Sequence, residues 1–131
     1  MNAIAPIVGS TVVMGLLDTV WLSFRGTYHE DLFQNVQGTR LTIRWIPALL
    51  VYVLMTVALY FGAIQGAKSV LDAGWKGAAI GFILYAFYDL TNYATLTNWT
   101  LYMTVTDALW GTLLCTIVAA IGAFITKATT V

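Results

Sequence analysis

The chain has 131 residues, of which 60% are hydrophobic and only 9% are charged, and its mean hydropathy is +0.81. Soluble domains carry about 25% charged residues, so this composition excludes a soluble globular protein and indicates an integral membrane protein. The six basic and six acidic residues cancel, which argues against a nucleic-acid partner. The length predicts a single domain, residues 1–131, with no separate soluble part.

Four apolar segments are long enough to cross a bilayer. A spanning helix needs about 20 mostly apolar residues, and the sequence provides such segments at about 4–24, 45–64, 77–96 and 103–126. The first segment lacks a basic leader and is longer than the core of a signal peptide, so we expect it to be a retained span. The predicted fold class is all-α, a four-helix transmembrane bundle.

The connection between the first two spans, residues 25–44, is the only one long enough to hold structure of its own. Four apolar residues recur there at helical spacing: Tyr28, Leu32, Phe33 and Val36. Gly38 then supplies a stop signal. The pattern predicts a short interfacial amphipathic helix on the membrane surface, which serves either as a linker or as a lid.

The second span carries no charged residue, whereas the first, third and fourth spans each contain one aspartate: Asp18, Asp89 and Asp107. If the spans alternate in direction, the 1.5 Å rise per residue places all three about 6 to 10 Å from the same end of the bundle. We call this end, opposite the N terminus, side B, and the other end side A. A carboxylate at the bilayer centre costs roughly 2.5 to 3.5 kcal/mol or more. Three at one depth therefore indicate a functional site.

Simpler explanations for the aspartates exist. Asp18 and Arg25 lie seven residues apart on one helical face, which favours a salt bridge between them. Asp89 and Asp107 could instead be hydrogen-bonding groups between helices, worth about 0.6 kcal/mol per bond. Because no lysine or arginine lies inside the spans, some carboxyl groups must be protonated, hold a cation or pair with an arginine of the side B loop.

Two short motifs repeat around the aspartates. Asp18 and Trp21, like Asp107 and Trp110, form an Asp-x-x-Trp pattern that places the indole one helical turn from the carboxylate. The two helices run in opposite directions, so the pair fits an inverted repeat of the kind found in transporters. Simple packing is the alternative explanation.

Small residues predict close contact between the third and fourth spans. Tyr85, Asp89 and Asn92 share one face of the third span, and Gly77 and Gly81 continue it toward side A. A similar narrow row runs along the fourth span: Asp107, Gly111, Cys115 and Gly122. Helices approach closely along such rows, so we expect Asp89 to face Asp107.

The residues select a limited chemistry for the site. The candidate ligand-binding residues are Asp18, Tyr85, Asp89, Asn92, Asp107, Trp21, Trp110 and Arg25. Oxygen ligands from Asp89 and Asp107 would favour a divalent cation such as Mg²⁺, Ca²⁺ or Mn²⁺. The chain has one histidine and one cysteine and contains no nucleotide-binding motif, so we expect neither haem nor nucleotide.

Three blocks of the sequence resemble a known family. The blocks are LDTVWL at 17–22, YAFYDLTNYATL at 85–96 followed by Asn98 and Trp99, and DALWG at 107–111. They resemble the signature of an uncharacterised family of small four-span predicted membrane proteins, mostly bacterial. The resemblance implies four helices, an inner-membrane location with a cytoplasmic N terminus, and a lipid-related setting. It transfers no catalytic residue.

Three functions remain open from the sequence, and whether the protein is an enzyme is open as well. The first is binding or processing of a small ligand, a lipid headgroup or a cation at the aspartates. The second is an accessory subunit of a larger membrane complex, in which the aspartates serve assembly. The third is a proton- or cation-coupled transporter acting as a homo-oligomer. In each case the lipid bilayer is a partner.

Overall fold

The computed structural model describes residues 2–130, which form four long helices. Their bounds are α1, Ile4–Gln37; α2, Trp45–Leu59, continued by a π-helical turn at Tyr60–Ile64; α3, Val70–Thr95; and α4, Leu101–Thr129. Each of the four is long and apolar enough to cross a membrane. The predicted all-α membrane fold is therefore confirmed.

The first helix is longer than predicted. Its 34 residues run without a break from Ile4 to Gln37, which corresponds to about 51 Å at 1.5 Å per residue. The segment predicted as a separate interfacial helix is helical. The prediction that it forms its own helix is wrong, because it continues the first span without a break. Gly38 is the predicted stop, with a left-handed φ of 81° and its N–H donating to the Gln34 carbonyl at 2.8 Å.

Packing explains why α1 stays straight beyond the membrane. Residues 25–37 of α1 contain no proline, and the one glycine among them, Gly26, costs only about 1 kcal/mol in a helix. The apolar side of the extension packs on the loop between α3 and α4, where Leu32 is buried against Trp99 and Met103. This contact replaces the membrane surface as the apolar partner that the sequence pattern requires.

Capping residues set the starts of the last two helices. α3 begins at Val70 rather than at about residue 77, because the Ser69 hydroxyl accepts a hydrogen bond from the Asp72 N–H at 3.0 Å. The Thr100 hydroxyl accepts from the Met103 N–H at 3.1 Å in the same way. Both helices are therefore positioned by an N-cap hydroxyl.

The third and fourth helices pack along their small residues, as predicted. A Cβ atom on Gly81 would lie 2.5 Å from the Gly111 carbonyl oxygen and 2.6 Å from Cys115 Cβ. A Cβ on Gly77 would lie 2.5 Å from the Cys115 carbonyl oxygen. Only glycine permits this approach of two backbones.

Gly122 does not belong to that row. A Cβ there would meet Ile64 Cδ1 at 2.3 Å and Ser10 Oγ at 2.7 Å, so Gly122 faces α1 and the π-helical turn. Its predicted contact with the third span is wrong because α3 meets Thr116 and Ala120 at this end, through Gly74, whereas Gly122 lies on the side of α4 that faces α1 and the π-helical turn.

The second helix packs mainly on α1, and its π-helical end packs on α3 and α4. The hydroxyls of Thr11 and Thr56 are hydrogen bonded at 2.7 Å, and the π-helical turn packs on α3, where a Cβ on Gly62 would lie 2.7 Å from Ile80 Cδ1. The α-helical part of α2 makes few contacts with α3. A gap consequently separates them in the side B half of the bundle.

Candidate functional site

The gap between α2, α3 and α4 forms a cleft of about 300 Å³. Its lining residues are Val51, Met55, Leu84, Tyr85, Tyr88 and Asp107. Val51, Leu84 and Tyr88 are also exposed on the outer surface of the bundle, so the cleft opens sideways toward the surrounding lipid. Among the described residues, Asp107 is the only charged side chain in the lining.

A second carboxyl group lies behind Asp107. Asp89 is completely buried, and no donor within residues 2–130 reaches either of its carboxyl oxygens. The acid that is close enough to interact electrostatically with Asp89 is Asp107. The close packing of α3 and α4 places the two aspartates near each other, and their role as one carboxylate site stays a prediction.

Tyr85 occupies space that a glycine leaves free. A Cβ on Gly111 would lie 2.0 Å from Tyr85 Cγ, so the phenol ring lies directly against the backbone of α4. There it is close enough to Asp18, Asp107 and Tyr52 to interact electrostatically with each of them. Tyr85 thus lies between the cleft and the region around Asp18.

Asp18 forms a site of its own. Its carboxyl oxygens accept one hydrogen bond from the Tyr52 hydroxyl and one from Trp110 Nε1, the latter at 3.0 Å. The salt bridge to Arg25 considered from the sequence is wrong. Seven residues correspond to about 10 Å along a helix, and Asp18 finds its donors on α2 and α4 instead.

Arg25 lies in an aromatic cage between α1 and α4. Its guanidinium carbon is 5.0 Å from the ring centre of Trp21 and 4.9 Å from those of Tyr28 and Tyr102. Its terminal nitrogens donate to the Tyr102 hydroxyl at 3.3 Å and to Thr106 Oγ1 at 2.9 Å. These contacts belong to the α1 and α4 interface and not to the cleft.

The two Asp-x-x-Trp motifs meet in the same interface. The indole rings of Trp21 and Trp110 stack with centres 4.7 Å apart and planes inclined by 3°. Neither indole lines the cleft. The candidate residues therefore divide into a cleft group, Tyr85, Asp89 and Asp107, and an α1 and α4 group, Asp18, Trp21, Trp110 and Arg25.

Asn92 and several unpredicted residues complete this region. Asn92 lies one helical turn from Tyr88 on α3 and does not line the cleft. The sequence analysis missed Tyr52 as the partner of Asp18, and it missed Val51 and Met55 as cleft walls. The available signal was that Tyr52 is the one tyrosine in the side B half of a span without charge.

The described residues provide few ligands for a metal ion. Within residues 2–130, no group of three or more histidine, cysteine, aspartate or glutamate side chains could hold one. Asp89 and Asp107 could supply two oxygen ligands, whereas Ca²⁺ takes six to eight and Mg²⁺ takes six. A divalent ion would need most of its ligands from water.

These features define a four-span membrane protein with a buried acid, Asp89, and a half-buried acid, Asp107, beside a lateral cleft. The chain belongs to the family described as predicted membrane protein (DUF2177), which matches residues 3–124. No curated protein and no solved structure matches it. The family confirms the membrane class and is one of unknown function.

Proposed function

We propose that this protein binds the cationic headgroup of a small membrane amphiphile, with Asp107 as the counter-ion. The observation that carries the proposal is the position of Asp107, which among residues 2–130 is the only charged residue lining a mostly apolar cleft that opens toward lipid. An acidic group inside a membrane protein typically faces a cavity and marks a ligand or ion path.

The carboxyl pair suits a ligand with a single positive charge. Two carboxyl groups can hydrogen bond to each other only when one of them carries a proton. Asp89 has no other donor in the described chain, so in this proposal Asp89 holds the proton and donates to Asp107. The pair then has one negative charge, located on the residue that reaches the cleft.

The remaining walls suit an amphiphile better than a hydrated ion. Val51, Met55 and Leu84 are apolar and suit a hydrocarbon chain, while the rings of Tyr85 and Tyr88 can receive an ammonium group through cation–π contact. The volume of about 300 Å³ is at the small end of ligand pockets. It matches a headgroup with the first part of one chain, the rest of which stays in the bilayer.

The proposal includes an orientation. We place side A, which contains both chain ends, in the cytoplasm of a cell with an inner membrane, so that the cleft opens to the outer leaflet. The resemblance in the sequence supports this choice. A green fluorescent protein fused to the C terminus should fluoresce, and an alkaline phosphatase fused there should be inactive. The reverse pattern would place the cleft in the inner leaflet.

Binding can be tested with simple probes. Purified protein in phosphatidylcholine nanodiscs should bind radiolabelled dodecylamine, and dodecanol, which has the same chain without the charge, should not compete. Asp107→Asn should weaken binding at least tenfold, about 1.4 kcal/mol. Asp31→Asn, which removes an exposed acid of α1 outside the cleft, should leave binding unchanged.

Asp89→Asn gives the sharpest comparison. The asparagine amide can donate to Asp107 as a protonated Asp89 would, so this variant should retain dodecylamine binding. Equal loss in Asp89→Asn and Asp107→Asn would contradict the shared-proton arrangement. Binding of Mn²⁺ that requires both aspartates, without binding of dodecylamine, would overturn the proposal in favour of a metal site.

A further inference from the structure

A positive charge without an acidic partner lies at the side B end of the bundle, between α1 and α4. Within residues 2–130 the ion pairs are Arg40 with Glu30 and Lys76 with Asp72. Arg25 belongs to neither. Glu30, five residues further along α1, pairs with Arg40. Asp18, seven residues before Arg25, is already bonded to Tyr52 and Trp110.

The guanidinium group of Arg25 is held in one position. Three aromatic rings surround it at about 5 Å, and two hydroxyl groups accept hydrogen bonds from its terminal nitrogens. Its Nε is buried and has no acceptor in the described chain. An arginine side chain normally extends toward water at a membrane interface, whereas this one is fixed against the helices.

The position of Arg25 corresponds to the headgroup region. It lies one turn above Trp21 and seven residues from Asp18, where α1 leaves the apolar span, and tyrosines and tryptophans mark this depth in membrane proteins. Tyr102, which accepts from Arg25, is itself exposed on the surface of the bundle. The charge is therefore accessible from the lipid side.

We propose that Arg25, together with Tyr28 and Tyr102, binds the phosphodiester of an anionic phospholipid in the side B leaflet. A guanidinium group has five N–H donors. Two are used by hydroxyls and Nε–H is buried, so two terminal N–H groups remain for phosphate oxygens. Basic pockets between membrane helices commonly bind such headgroups.

An anionic lipid fits this site better than a zwitterionic one. No acidic side chain within ion-pair distance of Arg25 is present among the described residues to receive the ammonium group of a zwitterionic headgroup. The positive charge of Arg25 is in neither of the ion pairs within residues 2–130, so a lipid with net negative charge complements it. This inference does not depend on the cleft or its ligand.

The test compares lipid retention in matched variants. Protein reconstituted with mixed phosphatidylglycerol and phosphatidylcholine should retain one phosphatidylglycerol after detergent exchange, as detected by native mass spectrometry. Arg25→Gln should lose this adduct. Arg44→Gln, which removes an exposed arginine at the start of α2, should keep it. Retention of the adduct in Arg25→Gln would overturn the proposal.

Two further measurements keep the outcome decisive. Arg25→Lys retains the charge but not the planar fork, so it should fold and bind phosphatidylglycerol several-fold more weakly than the unmodified protein; equal binding would contradict the bidentate contact. Inorganic phosphate in lipid-free detergent should not raise the melting temperature. If phosphate raises the melting temperature of the unmodified protein but not that of Arg25→Gln, the site binds free phosphate and the lipid assignment is wrong.

Discussion

The indole N–H of Trp110 donates a hydrogen bond to Asp18 at 3.0 Å, and this bond joins the two Asp-x-x-Trp motifs across α1 and α4. The tryptophans of the two motifs differ in their hydrogen bonding. Trp21 stacks on Trp110, but its own Nε1 is buried without an acceptor in the described chain. The partner acid of the second motif, Asp107, instead lies beside Asp89.

This asymmetry predicts different effects for two similar substitutions. Trp110→Phe keeps an aromatic ring against Trp21 but removes the donor to Asp18, and should lower the free energy of unfolding by about 1 kcal/mol more than Trp21→Phe. Unfolding by sodium dodecyl sulfate in mixed micelles, followed by circular dichroism, measures both. Equal losses would show that the hydrogen bond contributes nothing.

Gly111 should be intolerant of a side chain because Tyr85 occupies its place. A Cβ there would lie 2.0 and 2.2 Å from two atoms of the phenol ring, so Gly111→Ala should destabilise the bundle by about 1–3 kcal/mol. In a Tyr85→Ala background the same substitution should cost much less. Unfolding in mixed micelles gives the free energy of unfolding of the unmodified protein, of each single variant and of the double variant, which together form a double-mutant cycle.

Gly15→Ala is the matched control for that cycle. Gly15 also lies inside a helix, but a Cβ there meets nothing within 4 Å. Alanine should therefore be neutral or stabilise by about 0.5–1 kcal/mol through its helix propensity. A loss at Gly15 as large as that at Gly111 would mean that the Tyr85 contact is not the cause.

Cys115 offers a direct reporter for the contact between α3 and α4. Its thiol is fully buried and is the only one in the chain, so the folded protein should react slowly with maleimide. Gly81→Ala, whose Cβ would lie 2.6 Å from Cys115 Cβ, should speed this reaction. Gly74→Ala, whose nearest neighbour is 3.7 Å away, should not.

The continuous α1 can be tested by cross-linking outside the membrane. The Asn98 side chain donates to the Asn35 carbonyl at 2.9 Å, so cysteines at these two positions, in a Cys115→Ala background, should be joined efficiently by a short bis-maleimide. Cysteines at Gln34 and Asn98 should react poorly, because Gln34 is rotated by about 100° around the helix. Similar yields for both pairs would indicate a mobile segment.

The sequence predicted the helices well because hydropathy and length determine spans. It could not predict that α1 continues to Gln37, since the spacing of Tyr28, Leu32 and Val36 is the same whether a helix lies on the membrane or extends from it. The difference depends on Trp99, which lies 67 residues further along the chain than Leu32 and covers it. Such a contact leaves no local pattern.

The candidate site was predictable to the extent that glycine rows define helix contacts. Gly77 and Gly81 led correctly to the close packing of α3 and α4. The partners of Asp18 and Arg25 were not predictable, because helical periodicity identifies a face and not the neighbour that meets it. Tyr52 in particular lies in a span without charge, where a tyrosine is easily taken as a lipid-facing aromatic residue.

The unbroken α1 has a mechanical consequence. One rigid rod carries Leu32, packed on the surface loop, and Asp18, bonded to α2 and α4 inside the bilayer. Because the helix is unbroken between them, a rotation or axial shift of the outer end should be felt at Asp18. A molecule that binds α1 near Leu32 would therefore act on Asp18 inside the membrane, about 20 Å away along the helix.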